Sequence, residues 1–382
     1  MIAPGAWLGV LGGGQLARMF AMAAHRLGYR VAALDPDPEC PASGVADRLI
    51  CASLDAPKGW RELANCSAAV TIETESVPAG SLRFLSNRLR VAPDADALAI
   101  AQNRALEKSF LQKNGFAVAP FFVLNRPLDK LNPGVESLLP GLLKTSRFGY
   151  DGRGQIAVAT DTELINAFEE LGGPCILEKR ITLSAEFSVI LARSDDGNTA
   201  VFPVPLNHHH AGILDLSIVP AQISPALQRK AVTTALRIAE ALNYRGVMCV
   251  EFFLTADGQL LVNEIAPRPH NSGHFTLDAC HTSQFEQQVR VLAGLPLGDP
   301  SALINKRGIA MVNLLGNIWG HAEPHWSPVL AHPHARLHLY GKRTPRAGRK
   351  MGHITCLAES TDAAKDIALS LRAQLVTGDA SM

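Results

Sequence analysis

The sequence lacks a surplus of charge of either sign: 36 Lys and Arg stand against 35 Asp and Glu, a net charge of +1 over 382 residues. A chain held by its electrostatics on nucleic acid or an anionic membrane carries a basic surplus, and none is present. Any anionic ligand is then held by local basic clusters. Paired cysteine is missing too. The seven cysteines (Cys40, Cys51, Cys66, Cys175, Cys249, Cys280, Cys356) are odd in number and widely spread, with no C-x-x-C pair. That argues against a disulfide framework or thiolate zinc site and for a reducing compartment. No uninterrupted apolar run approaches about 18 residues, so no membrane span is expected. Met1-Ile2-Ala3-Pro4 has no basic stretch of the kind that opens a secretory signal, and a cytoplasmic location is expected. Internal repeats, low-complexity tracts and a G-x-x-x-x-G-K-[ST] phosphate loop are absent as well. What is present is 47% hydrophobic and 19% charged residues, the balance of a folded chain. Its length suits two to four domains at roughly 100–200 residues each.

Apolar runs at Trp7–Leu11, Val31–Leu34 and Ala68–Ile72 alternate with helical patterns, the first through Leu16, Met19, Phe20 and Ala23. This predicts a parallel α/β domain ending near residue 95, where Ala92-Pro93-Asp94 precedes one long helix containing Asn103 and Arg104. The middle reads as an α+β block to about 295. Its expected strands lie at 120–123, 141–144, 176–178, 185–192 and 200–205, with a helix over 226–242. Val247–Leu254 and Leu260–Glu264 read as a hairpin about Asp257-Gly258. Gly294-Leu-Pro-Leu-Gly298 marks a linker to a last region of short strands closed by a helix from Asp362 to Leu375.

Five features carry chemistry. Gly12-x-Gly14-x-x-Ala17 opens a helix after a strand and Asp35 closes the next strand, nearly a dinucleotide fingerprint. It reads equally well as a tight strand-to-helix turn or a simple phosphate turn. Lys144 ends an apolar strand just before a glycine loop, Gly149-Tyr150-Asp151-Gly152-Arg153-Gly154. A lysine there reaches phosphate oxygens while backbone N–H groups close over them. Glu251 and Glu264 fall together in the hairpin register with Asn263 beside them, the hard oxygen set that Mg²⁺ takes with phosphates and water. In Ala266-Pro-Arg-Pro-His-Asn-Ser-Gly-His274, the i, i+4 histidines lack a third ligand and Pro269 disturbs a helix. Arg268, His270 and Asn271 therefore point to substrate recognition rather than zinc. Of His208-His209-His210, one strand face at most can serve a pocket. Lys342-Arg343, Arg346 and Arg349-Lys350 suggest a phosphate site, or a solvated loop.

Taken in order, Leu11-Gly-Gly-Gly-Gln-Leu16, Thr74-Glu75, Lys144 with Gly149 to Gln155, Glu178-Lys-Arg-Ile181, Glu186, Asn207 with His209, Asn263-Glu264, the 266–274 run and Gly348-Arg-Lys-Met-Gly-His353 resemble the ATP-grasp superfamily. Within it they are most similar to the 5-(carboxyamino)imidazole ribonucleotide synthases of purine biosynthesis, nearly end to end. The ordered set displaces a nicotinamide oxidoreductase, which needs only the 12–35 region. It also disfavours a non-catalytic nucleotide-binding regulator, since the lysine and both acids are retained. Another ATP-grasp carboxylase or formate-linked ligase would differ at 266–274.

The resemblance implies a mixed α/β and α+β chain: a Rossmann-like pre-ATP-grasp domain over 1–95, an ATP-grasp module over 96–295 with a lid at about 116–180, and a small C-terminal domain over 296–382. It implies ATP contacts at Arg104, Lys144, Gly149, Tyr150, Asp151, Gly152, Arg153, Gly154, Gln155, Glu178, Lys179, Arg180, Ile181, Glu186, His209, Asn263 and Glu264, with Mg²⁺ on Glu251 and Glu264. The expected reaction joins bicarbonate to 5-aminoimidazole ribonucleotide at the expense of ATP, through carboxyphosphate. Lys144, Asp151, Arg153 and His270 are the expected catalytic residues. Substrate is expected at Gln15, Glu75, Tyr150, Arg153, Arg268, His270, Asn271, Lys342, Arg349 and Lys350, in a homodimer. Ala17 and Ala347 depart from the family pattern, and Thr71-Ile-Glu-Thr-Glu-Ser76 matches it only loosely, leaving the roles of Glu73 and Glu75 open.

Overall fold

In the computed structural model, residues 1–125, 133–147, 149, 154–303, 308–320 and 322–375 are described. The first region is a parallel sheet of β1 (Trp7–Leu11), β2 (Arg30–Asp35), β3 (Arg48–Cys51), β4 (Ala69–Ile72) and β5 (Arg90–Val91) in the order β3-β2-β1-β4-β5. Helices α1 (Gln15–Arg26), α2 (Pro57–Cys66) and α3 (Ala79–Ser86) cover it. Val31–Leu34 and Ala69–Ile72 are buried throughout, as parallel strands sandwiched by helices must be. The order reverses beside β1, so the Gly12–Gly14 turn lies at the carboxyl end of the strands where such folds place ligands.

The single long helix expected around Asn103 is two. α4 (Ala95–Ala101) stops before Asn103, whose side chain accepts the Ala105 and Leu106 N–H groups and starts α5 (Arg104–Lys113). An asparagine cap competes with helix continuation by taking those donors itself. Its consequence is to aim Arg104, the first residue of α5, into the centre of the molecule.

A four-stranded sheet follows, β6 (Phe121–Leu124), β7 (Gly141–Thr145), β8 (Gln155–Val158) and β9 (Cys175–Lys179), ordered β6-β9-β7-β8. The short α6 (Pro133–Glu136) and α7 (Asp161–Leu171) accompany it. Facing it is a large antiparallel sheet. Its strands are β10 (Leu183–Arg193), β11 (Thr199–Val201), β12 (Leu206–His210), β13 (Ile213–Val219), β14 (Gly246–Thr255), β15 (Leu260–Ala266), β16 (Gly308–Leu315), β17 (Ala335–Leu339) and β18 (Lys350–Ala358). They run β15-β14-β10-β12-β13-β16-β18-β17, with β11 beside β10. Helices α8 (Pro225–Ala241), α9 (Thr276–Ala279), α10 (Gln284–Ala293), α11 (Ser327–Leu330) and α12 (Thr361–Leu375) pack around these strands.

The strands of the last region join the large sheet rather than forming one of their own. β16 pairs with β13 and extends the central sheet across the linker at 294–298. No helix of the described residues is long and apolar enough to cross a membrane.

Strand alternation places the chemistry. On β10 and β14, Phe187, Val189, Met248, Val250 and Phe252 point into the core under α8. Glu186, Ser188 and Glu251 consequently take the other face. Phe187 and Phe252 stack at 5.7 Å and 18° and anchor this register. Phe187→Ala is expected to cost about 3–5 kcal/mol, read by urea unfolding; a loss below about 1 kcal/mol would show that the stack does not hold the strands.

Candidate active site

Two sheets and one helix converge. α5 packs against β9 of the smaller sheet and β15 of the larger one, so its charged residues lie between them. Lys144 on β7 and Glu178 on β9 are diagonal neighbours, their cross-strand partners being Ile176 and Leu142. The Lys144 ammonium donates to Glu178 Oε2 at 2.9 Å. Lys108, four residues after Arg104 on α5, brings a second ammonium to 3.8 Å from the same oxygen and is only 2% exposed. Burial alone would push the Glu178 carboxyl up, but Lys108, Lys144 and Arg104 hold it below the usual carboxylate range. Arg104 donates to the Gly149 carbonyl at 3.0 Å and lies 3.9 Å from Glu264.

Glu251 and Glu264 are directly opposite across the β14–β15 ladder, as the hairpin pattern predicts. Asn263 donates to Glu251 at 3.4 Å, and His270 Nε2 lies 3.4 Å from the other Glu251 oxygen. Burial, then the Glu264 charge, push the Glu251 carboxyl up to about 7. Burial also keeps His270 neutral, well below the usual histidine range. Two crowded carboxylates, Glu251 facing neutral Asn263 and His270 with the His209 charge only partly offsetting the push from Glu264, form a donor set that suits a hard divalent cation. Elsewhere among the described residues, Asp278, His338 and His353 offer ligand atoms within 4.8 Å of one another. The His338 and His353 rings stack 4.5 Å apart at 9°, so their in-plane lone pairs do not converge on one ion.

From the same face of the large sheet, Glu186 pairs with His209 Nδ1 at 3.0 Å. Burial works against the His209 charge, but the Glu186 hydrogen bond and the Glu251 and Glu186 carboxylates raise its pKa. Asn207 joins Ser188 and Ser217, Ser272 donates to Ser188 at 3.1 Å, and Ser272 Oγ meets His270 Nδ1 at 2.8 Å. This chain of side chains fixes the imidazole ring.

Arg268 donates to Glu75 at 2.7 Å and so links the 266–274 run to the first region. Lys342 donates to the Lys350 carbonyl at 2.7 Å, and Arg349 to that of Thr344 at 2.8 Å. Arg343 instead pairs with Glu39, so the basic run does not act as one cluster. Asn271 is buried, and its amide forms a reciprocal pair with Asn313 on β16, at 3.1 and 2.7 Å. Lys179 and Arg180 are exposed, Ile181 and Gln15 half-buried, and Gln155 exposed at the start of β8. Gly154 lies in the turn before it. Tyr150, Asp151, Gly152 and Arg153 lie outside the described residues.

The glycine turn of the first region is closed to a dinucleotide. A Cβ on Gly14 would stand 2.5 and 2.6 Å from the Glu73 carboxylate oxygens, so that carboxylate fills the cradle a pyrophosphate needs. Asp35, which would hold a ribose, accepts the Gly13 N–H at 2.6 Å instead.

Two further charged residues of α5, Glu107 and Lys108, carry no signal in the sequence. Glu107 accepts the Ile265 N–H at 2.5 Å in the interior. Burial, then Glu264, push its carboxyl up to about 8. Unfolded, a glutamate titrates near 4.3, so between these values the folded chain binds the extra proton and stability falls as pH rises. Glu107→Gln keeps an acceptor for Ile265 and is expected to flatten the loss of stability between pH 5 and 8.5 seen in thermal unfolding. An unaltered slope would contradict this assignment.

A small sheet with a paired lysine and glutamate, an acid pair on the opposing sheet and a charged helix between them are the features of an ATP-grasp ligase site. Family models agree: the ribonucleotide synthetase preATP-grasp domain matches residues 6–102, the ATP-grasp domain 109–285 and the phosphoribosylaminoimidazole carboxylase C-terminal domain 309–367. The N5-carboxyaminoimidazole ribonucleotide synthase of Bacillus subtilis (strain 168) is 43% identical over 364 residues, 95% of this chain and 94% of that protein. A Staphylococcus aureus N5-carboxyaminoimidazole synthetase complexed with ADP superposes with a TM-score of 0.90 at 33% identity, covering 97% of this chain and 98% of that one. An Aspergillus clavatus N5-carboxyaminoimidazole synthase in complex with ADP and 5-aminoimidazole ribonucleotide does so at 0.88 and 30% identity, covering 97% and 98%. The chain belongs to the N5-carboxyaminoimidazole ribonucleotide synthase family of ATP-dependent ligases.

Proposed function

We propose that this chain converts 5-aminoimidazole ribonucleotide, bicarbonate and ATP to N5-carboxyaminoimidazole ribonucleotide, ADP and phosphate, a step of purine biosynthesis. The observation that carries the reading is the Lys144–Glu178 pair facing Glu251 and Glu264 across α5, joined to an Arg268–Glu75 substrate wall.

Bicarbonate is a poor electrophile. A bicarbonate oxygen attacks the γ-phosphorus and the bond to ADP breaks, giving carboxyphosphate. Lys144 and Arg104 neutralise charge gathered on the phosphoryl oxygens, so the protein contributes mainly position and electrostatics. Mg²⁺ bound by Glu251 and Glu264 would shield the triphosphate. Glu178 to Ile181, Glu186, His209 and Asn263 complete the ATP contacts, and the 149–155 segment covers them. The substrate amine then attacks the carboxyl carbon, directly or as CO₂ released from carboxyphosphate, and phosphate departs.

Neutral His270, oriented by Ser272, takes the proton the amine loses. Asp151 and Arg153 line the bicarbonate side with it. Arg268 and Glu75 hold the nucleotide, with Gln15, Tyr150, Lys342, Arg349 and Lys350 on its ribose phosphate side. Asn271, held by Asn313, stands with them on the substrate side. The chain is proposed to act as a homodimer.

ADP release by purified protein tests the reading. It is expected to require ATP and Mg²⁺ and to be stimulated by bicarbonate together with 5-aminoimidazole ribonucleotide. ADP release indifferent to the nucleotide would overturn it.

A further inference from the structure

Lys108 has no assigned task, yet it is an expensive residue to place where it is. Its ammonium is buried at 2% side-chain exposure and has no hydrogen-bond partner among the described residues. Burying a cation without a hydrogen bond is strongly unfavourable, so a position of this kind requires a reason. Among the described residues the acid within ion-pair reach is Glu178, at 3.8 Å, and that oxygen is already bonded by Lys144 at 2.9 Å. One buried carboxylate thus has two lysines, of which only one is in hydrogen-bond contact.

That surplus makes sense once Lys144 has to leave. To reach a phosphate its ammonium gives up Glu178, which is itself 4% exposed and would be left as an uncompensated buried anion. Arg104 serves the Gly149 carbonyl, lies toward Glu264 and is itself proposed to meet the phosphates, so it does not replace Lys144 on Glu178. We infer that Lys108 is a positioning residue for the ATP reaction: it closes onto Glu178 when Lys144 turns to the phosphates, so that the carboxylate changes counter-ion and never loses one. The inference rests on the reading that Lys144 meets ATP phosphate. It adds that the cost of freeing Lys144 is met by a second lysine on another element, α5, packed against β9.

The charged groups facing Glu178 are Lys144 from β7 and Lys108 and Arg104 from α5, with Glu107 and Glu264 beyond Lys108. If Lys108 is removed, Glu178 keeps Lys144 in the ligand-free protein, so Lys108→Met is expected to fold. On binding ATP, that variant strands Glu178, which must then take up a proton. Titration calorimetry on the full chain is expected to show ATP binding weakened about ten-fold or more in Lys108→Met. In buffers of different ionisation enthalpy, the variant takes up about one more proton per ATP than the unchanged chain, and its affinity falls further as pH rises. In a Glu178→Gln background there is no anion to strand, and Lys108→Met should change ATP affinity by no more than about two-fold.

An equal loss in both backgrounds, no loss at all, absence of the extra proton, or failure of Lys108→Met to fold would each overturn the inference. Lys144→Met separates it from the reading beneath it. If that variant binds ATP and turns over like the unchanged chain, the phosphate role of Lys144 is wrong. If it is inactive while Lys108→Met is silent, only the counter-ion exchange is.

Discussion

Lys144→Met is expected to lower kcat/KM by about 10²–10³-fold while leaving the unfolding transition close to that of the unchanged chain. The side chain is 13% exposed and stands where β7 meets β9, its ammonium on Glu178. Methionine fills much the same volume along the same stem, so packing is conserved. The charge is not. A phosphoryl group that passes to bicarbonate concentrates negative charge on its oxygens, and a fixed ammonium in a site screened from water stabilises that charge far more than it does in bulk solvent. The fold tolerates the loss because Glu178 retains Lys108 beside it, 3.8 Å away. Steady-state kinetics and calorimetry on the same preparation check both halves. Full activity refutes the role, and a collapsed unfolding transition assigns the lysine to stability instead.

Glu264→Gln is the second large effect, with activity expected to fall about 10²-fold or more and the Mg²⁺ concentration for half-maximal rate to rise. Glu251 and Glu264 face each other on paired strands, and the repulsion between them is part of what raises the Glu251 carboxyl to about 7. Glutamine is isosteric, removes one charge and keeps an oxygen, so what is tested is charge rather than shape. Without its neighbour's charge the Glu251 carboxyl should drop toward the ordinary range. The unloaded variant is then expected to lose less stability than the unchanged chain as pH rises from 5 to 8. Unfolding of the metal-free protein reads this independently of turnover. Unchanged Mg²⁺ dependence with unchanged activity would remove Glu264 from the metal site.

The placement of these two residues was legible in the sequence for the same reason: each sits on a strand whose local pattern is strong. The apolar runs at 141–144 and 247–254, and the Asp257-Gly258 turn, set the register that brings Glu251 opposite Glu264. Parallel strands β1, β2 and β4 were legible from continuous apolar runs. The break at Asn103 was not, since an asparagine in a helical stretch becomes a cap only by its side chain taking two backbone donors. Nor were Glu107 and Lys108, because charged residues on an amphipathic helix are ordinarily solvated. Their burial depends on two separate sheets closing over α5. The pairing of β13 with β16, and that of Asn271 with Asn313, join segments far apart in the chain and leave no local trace. The nearly complete dinucleotide fingerprint, set aside in the sequence because of the later motifs, does not form a dinucleotide cradle in the fold either. Its glycines are there to admit the Glu73 carboxylate rather than a pyrophosphate.

The central claim is that this site activates bicarbonate by phosphorylating it. The most direct measurement supplies ¹⁸O-labelled bicarbonate with ATP and 5-aminoimidazole ribonucleotide and reads the mass of the phosphate released. Attack of a bicarbonate oxygen on the γ-phosphorus carries that oxygen into the product, so one labelled atom per phosphate is expected. Phosphate without label, formed at the same rate as the carboxylated nucleotide, would contradict the account.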